Sequence, residues 1–247
     1  MTKTGQLEML FNEWKQAQKD EPKKSLKKTM LKGAEIVEYD FFCKDGIVCE
    51  EEYKNESIKI LFIANEPNVE HKSNIDDGKK PNPESSQLDS FEDYYKSHED
   101  DWSGRLRKRI CEILYPSLID LEEREFPVEN GWKNAKKIAF LNLNKRGGKG
   151  SIENHLKHYC EYYKDYILKE IDIINPDVII WLGKGSFKMC SNSVFDNMID
   201  MGDYYRVEIN DKDYSLISTF HTSARISDKR RAEDVQKKYI KLKHNIS

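Results

Sequence analysis

The sequence predicts an α/β fold, a three-layer α/β/α sandwich with a central, mainly parallel four-stranded sheet. Two observations predict it. Short apolar runs of strand length recur along the chain: I-K-I-L-F-I-A at 58–64, I-A-F-L-N at 138–142, V-I-I-W-L-G at 178–183 and S-L-I-S-T-F at 215–220. Between them lie longer stretches with helical spacing, at 102–115, 152–174 and 184–191, and a last one follows at 232–243. Strands alternating with longer helical segments are what parallel pairs joined by crossover helices leave in a sequence.

Taken in order, residues 6–39 place Leu7, Leu10, Phe11 and Trp14, then Leu26, Met30, Leu31 and Ile36, at helical intervals. Pro22 separates two helices and suits the start of the second. Lys23, Lys24, Lys27 and Lys28 fall on that helix's opening turns, as a solvated face or as phosphate contacts. Residues 1–57 therefore read as a helical extension packed on the core, and 58–247 as one α/β domain. Within it, 68–101 reads as a long polar insertion, a surface or lid loop, with Gly78, Pro81, Pro83 and many acids. Near the end, 207–210 with N-D-K-D before Tyr214 reads as a hairpin feeding the last strand.

Composition narrows the function classes. With 38% hydrophobic and 34% charged residues, a chain of 247 can bury a core under a densely charged surface. Lys and Arg number 41 against 44 Asp and Glu, a net charge of −3. That excludes a polycationic wrapper of nucleic acid but not a local basic patch. No apolar run approaches the roughly 18 residues of a spanning helix, and the opening M-T-K-T-G-Q-L-E lacks signal-peptide features. A cytoplasmic protein without a membrane partner is the expectation. The cysteines at 43, 49, 111, 160 and 190 form no C-x-x-C pair and read as reduced, mostly buried thiols, with no metal and no cofactor expected.

Open parallel sheets bind ligands at the carboxyl ends of their strands. Here those ends read A-N-E-P-N at 64–68, N-L-N-K-R-G-G at 142–148, G-K-G at 183–185 and F-H-T-S-A-R at 220–225. Together they supply a carboxylate, amides, a histidine and cations. The G-G-K-G-S stretch at 147–151 lacks the spacing with which a phosphate loop wraps a triphosphate, which leaves a nucleotide-binding protein as the weaker rival.

In that order and placement, I-L-F-I-A-N-E-P-N, I-A-F-L-N-L-N-K, N-P-D-V-I-I-W-L-G-K and S-T-F-H-T-S-A-R resemble the motifs of the uracil-DNA glycosylase superfamily, over about 58–225. There the first strand ends in G-Q-D-P-Y or a variant, an asparagine ends the second, and H-P-S follows the last. The resemblance implies a monofunctional DNA glycosylase that flips a pyrimidine and hydrolyses its glycosidic bond. It places Glu66 at the position that orients water and offsets positive charge on the sugar, with Asn65 beside it in the catalytic set. His221 takes the position that donates to the departing base. Asn142 matches the amide that reads the base, or else caps its strand. Trp102, opening W-S-G-R, resembles the phenylalanine that stacks on the base in the iron–sulfur branch, with Phe91 the second choice. The four cysteines of that branch are missing.

Asn68 stands where uracil-specific members carry a tyrosine against C5 of the pyrimidine. A 5-substituted base could then enter, which keeps open excision of hypermodified, glucosylated cytosine from phage DNA as antiviral defence. DNA is the expected partner, and no obligatory protein partner is evident. Its phosphates would meet Lys145, Arg146 and Lys149 after the second strand. Thr222, Ser223, Arg225, Lys229, Arg230 and Arg231 would meet them after the last, and Ile226 either wedges into the duplex or packs on its own helix. The rival from another class is a catalytically silent nucleic-acid-binding module of the same fold.

Overall fold

A computed structural model describes residues 1–21, 42–65, 86–97, 105–121, 125–146 and 153–246. The first element is helix α1 (Lys3–Asp20). Thr2 caps it, its Oγ1 accepting from the Gly5 N–H at 3.1 Å, and the Glu50 carboxylate accepts from the Lys3 and Thr4 N–H groups. Both satisfy free N–H groups at the helix's positive end, and the carboxylate adds a negative charge there. Leu7, Leu10, Phe11, Trp14 and Gln18 form its buried stripe. The second expected helix, with its four lysines, lies outside the described residues.

Strand β1 (Gly46–Ile47) and helix α2 (Glu50–Asn55) lead into β2 (Ile60–Ala64). Helix α3 (Gln87–Lys96) starts at Ser86, whose Oγ accepts from Leu88 N–H. Next, α4 (Arg105–Arg109) runs through a π-helical turn (Ile110–Leu114) into α5 (Tyr115–Ile119), and a 3-10 helix (Gly131–Lys137) precedes β3 (Ala139–Asn142). Two helices, α6 (Glu153–Tyr162) and α7 (Lys164–Ile174), replace the single expected one, because Tyr163 leaves helical geometry at ψ 20°. Strand β4 (Val178–Leu182), helix α8 (Lys184–Val194), strands β5 (Met198–Asp200), β6 (Tyr205–Ile209) and β7 (Lys212–Thr219), and helix α9 (Asp228–Ile246) complete the chain.

The fold is α/β, with a seven-stranded mixed sheet in the order β1-β3-β2-β4-β7-β6-β5 and helices on both faces. The expected four-stranded sheet is corrected by three more strands. The four apolar runs are its contiguous parallel core, β3-β2-β4-β7. Strands β1, β6 and β5 extend it antiparallel on both sides. Two of them are too short for a periodicity to register: β1 has two residues and β5 three, largely exposed. The hairpin between β6 and β7 turns on Asn210 and Asp211, both at positive φ (51° and 60°), as a two-residue turn of the favoured hand demands.

Side chains of the central strands alternate between two cores. Leu61, Ile63, Leu141, Ile179 and Trp181 face α1, α6, α7 and α8; Ile60, Phe62, Phe140, Ile180 and Leu182 face α3, the 110–118 segment and α9. Residues 1–57 thus supply both a packed helix and an edge strand. Part of the expected polar insertion is core as well, since α3 buries Phe91 and Tyr94. Among the described residues, no helix is long and apolar enough to cross a membrane.

Candidate functional site

The carboxyl ends of β2, β3, β4 and β7 lie side by side, and His221 stands just past the last. Its loop is clamped through backbone carbonyls. The Arg231 guanidinium donates to His221 O (2.6 Å) and Ala224 O (3.0 Å), and Arg109 donates to Thr222 O. Asp228 balances both, 3.5 Å from Arg109 Nε and 3.9 Å from Arg231 Nε. A loop fixed at three carbonyls presents its histidine in one place.

The imidazole is fixed in one tautomer too. Its Nδ1 accepts from the Ser223 backbone N–H at 3.1 Å, and Ser223 Oγ lies 2.7 Å from the same nitrogen. A backbone N–H can only donate, so the ring proton sits on Nε2. Burial, then the Arg231 and Arg109 charges, lower the pKa from its ordinary 6.5. His221 is therefore a neutral N–H donor at neutral pH. Gly183, at φ 123°, brings the β4 end alongside, because a Cβ there would stand 3.6 Å from His221 Cδ2 and 2.9 Å from Ser186 Oγ.

Two strand-end amides lie on the same carboxyl edge, at the ends of β2 and β3. Asn144 N–H donates to Asn65 O, and Asn142 is register partner of Ala64. Asn142 is 1% exposed; its backbone N–H and Nδ2 both donate to Asp45 Oδ2, at 2.6 and 3.1 Å. Its Oδ1, like that of Asn65, is buried with no donor among the described residues. A buried acceptor left so costs about 1–3 kcal/mol.

Lys145 is wholly buried between Asp45 and Glu170, 2.7 Å from Glu170 Oε2. Burial alone would lower its pKa, but the two carboxylates outweigh it and the net shift is upward. Glu170 is pushed well above the carboxylate range, by burial first and the Asp45 charge second.

Comparison with known families and curated proteins gives no match. Function must be argued from placement. Of the expected site residues, Asn65 and Asn142 lie at adjoining strand ends, and His221, Thr222 and Ser223 lie past β7 on the same carboxyl edge. Glu66, Asn68, Trp102 and Lys149 lie outside the described residues. Phe91 is not a free platform: it is fully buried, its ring centroid 5.2 Å from that of Phe140.

The phosphate grip expected of Lys145 and Arg146 is also corrected. Arg146 is 2% exposed, paired with Glu21 and 3.0 Å from Tyr163 Oη, with Tyr159 and Tyr163 around the guanidinium. Cations shut away from water must be paired internally, and these are. Arg231 is likewise internal, and Thr222 is buried with its carbonyl engaged. Arg225, Lys229, Arg230 and Ser223 stay exposed, and Ile226 is half-buried.

Sequence reasoning missed Asp45, Arg109 and Glu170, and read Gly183 as a strand end without its approach to His221. Gly183 had a signal, glycine at a strand-to-helix junction; the other three sit in unremarkable charged surroundings far along the chain from their partners.

Proposed function

We propose that this protein is a monofunctional DNA glycosylase of the uracil-DNA glycosylase type, acting on uracil or a 5-modified cytosine and leaving an abasic site. The observation that carries the reading is His221: a neutral Nε2–H donor, locked by Ser223 and two guanidiniums, on the same carboxyl edge of the sheet as Asn142 and Asn65. When an N-glycosidic bond breaks, the base leaves with the electron pair. A fixed donor aimed at the base carbonyl stabilises that charge as it forms. The carboxylate at position 66 orients water toward C1′ and offsets the oxocarbenium charge, as in glycoside hydrolysis. Water supplies the oxygen for C1′ and the proton that the base finally carries away. Asn142 reads the extruded base, and the exposed Arg225, Lys229 and Arg230 hold phosphates.

The test incubates purified protein with oligonucleotides bearing uracil, with phage DNA containing glucosylated cytosine, and with plain DNA. Alkali-labile breaks that need both Glu66 and His221 support the reading. Breaks confined to glucosylated DNA would point to antiviral defence, whereas binding without any abasic product would sink catalysis and favour the silent module.

A further inference from the structure

We infer that the buried Asp45–Lys145 pair is a positioning device for Asn142: it turns the amide so that Oδ1 is presented, and so demands a ligand with an N–H donor on its recognition edge. The inference rests on the glycosylase reading and deepens it. An amide alone can face a ligand either way, offering oxygen or nitrogen. A carboxylate accepts and never donates, so the Nδ2 end must face Asp45 Oδ2, where it lies at 3.1 Å; the backbone N–H of the same residue holds that oxygen from a second direction at 2.6 Å. Lys145, donating to Asp45 Oδ1, holds the other carboxylate oxygen, and Glu170 closes the lysine's far side at 2.7 Å. All four residues are at or below 1% exposure, so water does not compete for these bonds.

The amide end that remains is Oδ1, buried and without a donor among the described residues. Two pyrimidine groups supply the missing chemistry: the 4-amino group of a cytosine-type base and the ring N3–H of a uracil-type base. A base with neither leaves Oδ1 as it is and gains nothing. Asn65 Oδ1, at the end of the adjoining strand, is also buried with no donor among the described residues. Asp45 touches no ligand in this account and acts through Asn142.

The test is binding, read by fluorescence anisotropy on duplexes with one 2′-fluoroarabino nucleotide, whose glycosidic bond resists cleavage. Its base is cytosine, uracil or 2-pyrimidinone, each with hydrogen or hydroxymethyl at C5; 2-pyrimidinone has no donor on the edge. The wild-type chain should bind 2-pyrimidinone about tenfold or more weakly than the better of the other two, because a missing hydrogen bond to a buried acceptor is costly. Which of those two wins identifies the donor.

In Asp45→Leu, which leaves both Asn142 donors without their acceptor and so no longer fixes the direction of the amide, that ratio should fall toward one while the melting transition persists. A merely structural role would lower stability and leave the ratio alone. Should Asp45→Leu not fold, Asp45→Leu with Lys145→Met removes both charges and is read in the same way. Equal wild-type binding of all three bases, or no binding, overturns the inference, as does an unchanged ratio in a folded variant. Cleavable duplexes run in parallel separate the two proposals: no abasic product with the ratio intact sinks the glycosylase reading alone, and abasic product without base preference sinks the positioning role alone.

Discussion

At His221, burial, the two neighbouring guanidiniums and the hydrogen bond from Ser223 N–H work in the same direction, keeping the ring neutral with its proton on Nε2. Replacing it as His221→Gln should lower excision by about 10²–10³-fold, the cost of removing one fixed donor to developing charge, measured as single-turnover product formation. Because its pKa lies below 6.5, the imidazole should leave an acid limb in the wild-type pH–rate profile below that value; a limb at or above 6.5 would contradict the assignment. Stability follows the same sign. A histidine whose folded pKa is depressed contributes fully above its unfolded value and loses that contribution as pH falls toward the folded one, so melting temperatures between pH 7 and 5 should fall less in His221→Gln. Lys145 offers the opposite lesson. As a lysine after a strand end it reads as a phosphate contact, yet its wholly buried ammonium answers Asp45 and Glu170. Lys145→Met leaves that acid pair without its cation and should cost about 3–5 kcal/mol in denaturant unfolding, whereas Lys229→Ala on the exposed first turn of α9 should change stability by about 0.5 kcal/mol or less.

Elements were legible wherever periodicity was long enough. The four apolar runs are the parallel core, and the stripe of Leu7, Leu10, Phe11 and Trp14 is the buried face of α1. Trp14 ties α1 to α7, stacking on Tyr166 at 5.4 Å with Tyr163 and Phe42 near 6 Å. Trp14→Ala should therefore cost about 3–5 kcal/mol by thermal or chemical unfolding. The β6–β7 turn was legible from Asn210-Asp211, since side chains that tolerate positive φ mark this turn. Asp211 still pays a steric penalty at φ 60° that glycine lacks. Asp211→Gly should raise the denaturation midpoint, by an amount within about 1 kcal/mol. Strands β1 and β5 were not legible. Two or three residues carry no period, and such strands form because a partner edge is already there to pair with. Helix α3 escaped because Phe91 and Tyr94 sit among acids that lower the mean hydropathy while leaving one apolar face.

Over the whole molecule, the net charge of −3 conceals a division of labour among cations. Lys145, Arg146 and Arg231 are structural, while Arg225, Lys229 and Arg230 remain exposed around the loop that carries His221. DNA binding should accordingly depend on salt only modestly. Each phosphate contact contributes about −0.9 to the log–log slope, so Arg225→Ala should make the slope about one unit shallower and Lys145→Met should leave it unchanged, by anisotropy titration at several salt concentrations. The strand runs, the face of α1, the hairpin turn and the polar strand ends could be read from the chain alone, because each is written in residues within a few positions of one another. Which charges are buried, which guanidinium from another helix clamps the His221 loop and which way the Asn142 amide points were settled only by the folded chain. Those properties depend on partners remote in the chain: Asp45 lies 100 residues from Lys145, Glu21 lies 125 from Arg146, and Arg109 lies 113 from Thr222. A cation has the same local sequence signature in water or in a core, and only the fold brings in the carboxylate that permits its burial.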